Sequence, residues 1–265
     1  MTRDAASLGR YYPANPAYGT GVFRRRLRMV AAGASIRAAV NDPWHVMWVT
    51  LALDGGTIAD AAAGMDRTPK TVCPGAARAL RELVGMQAET ASAAIFSDGR
   101  AGRNCTHLLD LARLALGCHL RGEAARVLDL TVPDPDAGGQ SRLTAAVDGT
   151  VVHDWILQDG RLSDAAGFQG GFFDPGFLPA MRDRFQGIEL EAARALRMAV
   201  FVAAGRAYVT DGPVPVRALD ETDRHGDCFA FSLPVLADSQ DNIGYVQDFT
   251  DGLIERLPPV FGARP

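Results

Sequence analysis

Hydrophobic and polar positions alternate with a period of two over residues 22–30, where Phe23, Leu27 and Met29 fall on one side and Arg24, Arg26 and Arg28 on the other. Successive side chains of an extended chain point to opposite faces, so this period predicts a half-buried strand. Residues 35–40, 46–53 and 57–65 read the same way and continue a β-meander. Asp54-Gly55-Gly56 joins the last two, glycine supplying the positive φ that a tight hairpin requires. The pattern then becomes helical. Pro74 lacks the N–H that a first helical turn leaves unbonded, and it opens a helix predicted over 73–84, before Gly85. A second helix is predicted over 104–120, with Leu108, Leu109, Ala112, Ala115 and Leu116 on one stripe.

After Gly122 strands return over 125–132, 142–148 and 151–157, with Asp148-Gly149 as a second hairpin turn. Residues 167–177 read as an irregular glycine and aromatic segment, a helix is predicted over 189–204, and short strands near 207 and over 228–233. The first twenty residues lack periodicity and read as an N-terminal arm (1–20). The whole predicts an α+β class: one domain over 21–265, an antiparallel β-meander packed by helices at about 22–122 and an elaborated β/α extension over 123–265.

A length of 265 residues, 48% of them hydrophobic and 22% charged, is that of a globular chain with enough material for a core. A net charge of −4 argues against a dedicated nucleic-acid surface. No apolar run approaches the roughly 18–20 residues of a membrane span, and the start Met1-Thr2-Arg3-Asp4-Ala5-Ala6 does not read as a secretory leader, so a cytoplasmic protein with no membrane association is expected. Four cysteines in so long a chain are ligands, nucleophiles or core filler rather than a disulfide framework. Lys70 is the only lysine, so any Schiff-base chemistry would rest on it alone.

Chemistry concentrates at the helix starts. Cys73 is placed at an N-cap, where the helix dipole would stabilise a thiolate and suit a nucleophile or ligand; buried filler is the equal alternative. In Arg103-Asn104-Cys105-Thr106-His107-Leu108-Leu109-Asp110, Cys105 and His107 can share a ligand only if Cys105 precedes the first turn, as it does when Thr106 caps. His107 and Asp110, three apart, share a face, which lets a carboxylate orient the imidazole or forms a plain surface pair. His45, after Asn41-Asp42-Pro43-Trp44, opens the third strand in a structural or a catalytic role. His225-Gly226-Asp227-Cys228 is a minor further candidate. The nucleotide-binding, zincin, serine-hydrolase and C-x-x-C motifs are absent.

Phe23-Arg24-Arg25-Arg26-Leu27-Arg28, Asp42-Pro43-Trp44-His45, Cys73-Pro74-Gly75-Ala76, the Arg103–Asp110 block and Arg197-Met198-Ala199-Val200-Phe201 resemble, in that order, the DUF2889 family over roughly residues 22–232. The chain further resembles the DUF2889 branch associated with γ-formaldehyde lyase action on phenylcoumarans, dimers derived from lignin. That resemblance implies a carbon–carbon lyase with a small aromatic substrate and no cofactor. His107 oriented by Asp110, or His45, would be acid or base, and Arg103 or Tyr208 would meet the phenolate. The order of strands, hairpin and Cys-led helices is also similar to iron–sulfur scaffold proteins of the IscU/NifU type. It implies, as the alternative, a zinc or iron site at Cys73, Cys105 and His45, although Pro43-Trp44-His45 stands where that family has its first cysteine. A homodimer is compatible with the sequence and not required by it.

Overall fold

The computed structural model describes residues 5–165, 167–252 and 254. Among the described residues the fold is α+β, with nine antiparallel strands and a set of short and medium helices. The chain divides into two compact units, one of Met1–Arg26, Val127–Thr210 and Asp248–Ile254, the other of Leu27–Arg126, Asp211–Gln247 and Glu255–Pro265. Residues 1–4 of the predicted arm and 255–265 of the predicted extension lie outside the described residues.

The first unit holds the meander β5 (Ala125–Pro133), β6 (Gln140–Val147), β7 (Thr150–Gln158), β8 (Arg161–Ala165) and β9 (Phe168–Gly170), in that spatial order. Its hairpins follow from the turn chemistry. Asp148-Gly149 and Asp159-Gly160 both take positive φ, so two-residue turns match the right-handed twist of the flanking strands. Helix α5 (Gly187–Ala203) packs on β6 and β7, and α4 (Phe177–Arg184) on α5 and β9. His153 and Trp155 on β7 sit in an aromatic cluster with Phe172, Phe177 and Phe185. The residues predicted as an arm include a 3-10 turn, Ala5–Arg10, and Asn15 is tied to Ala207 by a backbone hydrogen bond of 2.8 Å.

Strand β1 (Val22–Ala32) enters the second unit at Leu27 and is followed there by β2 (Ser35–Asn41), β3 (Val46–Asp54) and β4 (Thr57–Arg67), in the spatial order β4-β3-β2-β1. Gly55 and Gly56 take φ of 53° and 83°, the conformation expected of them. Helix α3 (Thr106–Leu120) lies on β2 and β3 and is buried from Leu108 through Cys118, so even its polar pair Asp110 and Arg113 is taken from water. Two short helices, α1 (Ala88–Ala93) and α2 (Arg100–Arg103), precede it.

The helix predicted over 73–84 is a 3-10 helix, Cys73–Leu83. Its buried positions Cys73, Ala76, Leu80 and Leu83 are three and four apart, a spacing that fits either helix type, so the pattern could not separate them. The strands predicted near 207 and over 228–233 are 3-10 turns, Ala204–Ala207 and Phe229–Phe231. The adjacent apolar residues Ala230 and Phe231 are buried there by a turn rather than by a strand pair. The segment Asp211–Gln247 is irregular and is fixed in its unit by Lys70, whose Nζ lies 2.8 Å from Asp241 Oδ1 and also bonds Glu221, all three being buried.

Candidate active site

Strands β2 and β3 are joined by Asp42-Pro43-Trp44-His45, which the chain folds into a turn closed by the Asp42 N–H donating to the His45 carbonyl at 2.9 Å. Asp42 Oδ1 accepts the N–H groups of Trp44 and His45 at 2.8 and 2.9 Å, the Asx pattern by which aspartate stabilises a turn. The same carboxylate lies 3.0 and 3.1 Å from His45 Nδ1. An ionised carboxylate offers only lone pairs, so in that bond Nδ1 carries the hydrogen, and Nε2 is the ring nitrogen not engaged by Asp42. Asp42 is wholly buried and His45 nearly so.

A bulge next to the turn adds a second support. Val46 pairs with Arg67 and Met47 with Met65, so β4 carries one extra residue there. Arg67 thereby reaches the Asp42 carbonyl and Asn41 Oδ1, each at 2.5 Å. Burial holds the Arg67 guanidinium below its ordinary value, against the opposing pull of Asp42.

His107 meets this turn from α3. Cys105 is the extended N-cap residue and Thr106 the first helical one, which puts Cys105 ahead of the first turn. Its Sγ lies 4.0 Å from His107 Nδ1. The His107 ring stacks on His45 with centroids 4.1 Å apart and planes tilted by 31°. Two imidazoles, one oriented by a buried carboxylate, are thus side by side at the positive end of the α3 dipole. The arrangement can take a proton with one ring and deliver a proton with the other.

The remaining expected residues fall elsewhere. Asp110 does not orient His107; its carboxylate accepts Arg113 Nη2 at 2.8 Å, because a charge buried on an all-buried helix needs its counter-charge within reach. Arg103 is exposed and bonded to Glu82 and the Asp98 carbonyl. Tyr208 belongs to the first unit, where it bridges to Ala14. Cys73 is not an activated thiolate at a helix start: burial pushes its thiol far up, and the neighbouring Cys105 and Cys228 thiols push it further. It lies in a small core with Ala218, Ala230, Phe231 and Leu236. Among the described residues no group of three or more His, Cys, Asp or Glu is placed to hold a metal ion. No helix among the described residues is long and apolar enough to cross a membrane.

Sequence reasoning missed Asp42 as the partner of His45. The signal was present as an Asp before Pro-Trp at a strand junction, a turn-forming arrangement. Arg67 had no such signal, since only the bulge brings it to the turn.

Residues 26–119, which include Asp42, His45, Arg67, Cys105 and His107, match the model of DUF2889, a protein of unknown function. No curated protein and no solved structure matches the chain.

Proposed function

We propose that the chain is a cofactor-independent carbon–carbon lyase that releases formaldehyde from a phenolic phenylcoumaran and leaves a stilbene. The observation that carries the acid–base part is the buried Asp42–His45 pair with His107 stacked on it at 4.1 Å. The substrate class is carried by the resemblance to the lyase branch of DUF2889.

In this reading the para-phenol of the substrate ionises, and its electrons open the ring ether to a quinone methide while His107 gives a proton to the departing ether oxygen. His45 Nε2 takes the γ-hydroxyl proton. The Cβ–Cγ bond breaks, formaldehyde leaves, and the electron pair forms the stilbene double bond as the quinone methide returns to a phenolate. One proton is taken and one is given, so the imidazole pair is restored by proton exchange with water. Asp42 offsets the positive charge on His45 while it holds the proton. The dipole of α3 favours the negative charge that develops beside it.

The test is to incubate the purified protein, with nothing added, with a phenolic phenylcoumaran dimer, following formaldehyde and the near-ultraviolet absorbance of the stilbene. Equal amounts of both are expected, and none from the dimer whose para-phenol is methylated. Absence of both products from the free phenol overturns the reading.

A further inference from the structure

Three of the four cysteines converge in the second unit although they are far apart in sequence. The segment around Cys228 is laid across both helix starts. The Phe229 N–H donates to the Asn104 carbonyl at 2.9 Å, and the Phe229 ring packs on Gly75, where a Cβ would come within 3.0 Å of its Cζ. A Cβ on Gly102 would likewise meet the Gly226 carbonyl at 3.2 Å. The peptide between Cys228 and Phe229 is therefore hydrogen-bonded to the peptide between Asn104 and Cys105. Standard covalent dimensions then put the Cα atoms of Cys105 and Cys228 about 5–8 Å apart, overlapping the range of about 4.4–6.8 Å found in disulfides. The Lys70–Glu221–Asp241 cluster and the stacking of Arg224 on Phe231 at 4.0 Å hold the segment in this place.

The geometry points to Cys228 and Cys105 as a dithiol that closes to a disulfide on exposure to a peroxide. Cys228 is half-buried and Cys105 is buried, so the oxidant reaches Cys228 first. The Cys228 thiolate attacks one oxygen of hydrogen peroxide, the O–O bond breaks, and a sulfenic acid and hydroxide result. The Cys105 sulfur then attacks the sulfenic sulfur, the S–S bond forms and water leaves. His107, with Nδ1 4.0 Å from Cys105 Sγ, is placed to take the Cys105 proton in that step. In sum two thiols and one peroxide give one disulfide and two waters. Cys73 lies in the small core against which Cys228 also packs, so it is the competing partner that the experiment must separate from Cys105. Cys118 is remote in function, donating to the Glu123 carbonyl at 3.5 Å.

The experiment is to treat the full chain with hydrogen peroxide at one to a few equivalents, alkylate, digest and read the cysteine peptides by mass. The expected result is a peptide pair joining Cys105 to Cys228 with two hydrogens lost, reversed by dithiothreitol. The pair persists in Cys118→Ser and is absent from Cys228→Ser. A Cys228 that ends as sulfinic acid with no cross-link, or a link from Cys228 to Cys73, overturns the assignment. The readout on the unsubstituted chain is mass alone, so it stands whether or not the lyase reading does.

Discussion

His45 and His153 are both almost wholly buried, at 4% and 2% exposure, and both sit on antiparallel meanders, but their surroundings differ in kind. His153 lies among Trp155 and Phe185, with Nε2 2.8 Å from the Glu189 carbonyl, and burial holds it below its ordinary value despite that hydrogen bond. His45 faces the fully buried Asp42 carboxylate and a second imidazole. A carbonyl can anchor a neutral ring, whereas a carboxylate can also offset the charge of a protonated one. The contrast holds for the immediate surroundings of each ring. The second unit buries charged sets, Lys70 with Glu221 and Asp241 and Asp110 with Arg113; the His153 region of the first is filled with aromatic rings. Burial is common to both histidines; the proposal for His45 rests on its carboxylate partner.

The sharpest way to break the contrast is to give His45 a neutral partner. Asp42→Asn keeps the shape of the turn but removes the charge, and its formaldehyde release should fall roughly 10²–10⁴-fold with an unchanged circular dichroism spectrum. Full activity in that variant would make His45 no different in role from His153.

Next in size is the buried cation of the second unit. Lys70→Met leaves Glu221 and Asp241 buried without the lysine between them, and urea unfolding should show a loss of about 3–5 kcal/mol. An unchanged midpoint would mean that the ion cluster does not hold the Asp211–Gln247 segment.

Gly64 tests packing on the same sheet. It stands opposite Trp48 across the β3–β4 ladder, and a Cβ there would lie 2.5 Å from the indole. Gly64→Ala should cost about 1–3 kcal/mol, read by the same unfolding experiment.

The smallest effect belongs to His153. Its folded value lies below the ordinary 6.5, so the unfolded chain takes up the proton first as the pH falls. Its contribution to stability is complete above 6.5 and is lost as the pH drops through the lowered folded value. His153→Gln, which keeps a donor for the Glu189 carbonyl, should flatten the acid limb of the stability curve measured by urea unfolding across pH 4–8.

Much of the fold was legible because it rests on local chemistry. Period-two alternation located β1 to β4 within one or two residues at each end, and the Asp-Gly and Gly-Gly turns set the hairpins. The short helices Ala88–Ala93 and Arg100–Arg103 span too few residues for a period to show. His45, Cys105 and His107 were visible as residue types, and their convergence was suggested only by resemblance. The pairing was not visible: Asp110, three residues from His107, was the natural partner on a helix, but Arg113 lies equally near and brings the opposite charge. Cys228 was the hardest to place, because a hydrogen bond between segments more than a hundred residues apart leaves no local trace.

In the proposed reaction the Asp42-oriented His45 performs the proton transfer that releases formaldehyde. The most direct measurement compares formaldehyde release by the unsubstituted chain and by His45→Ala on one phenolic phenylcoumaran, at equal protein concentration and with matched circular dichroism spectra. Formaldehyde and stilbene are expected in equal amounts from the first, with a rate at least about 10²-fold lower from the second. Equal rates from the two proteins would contradict it.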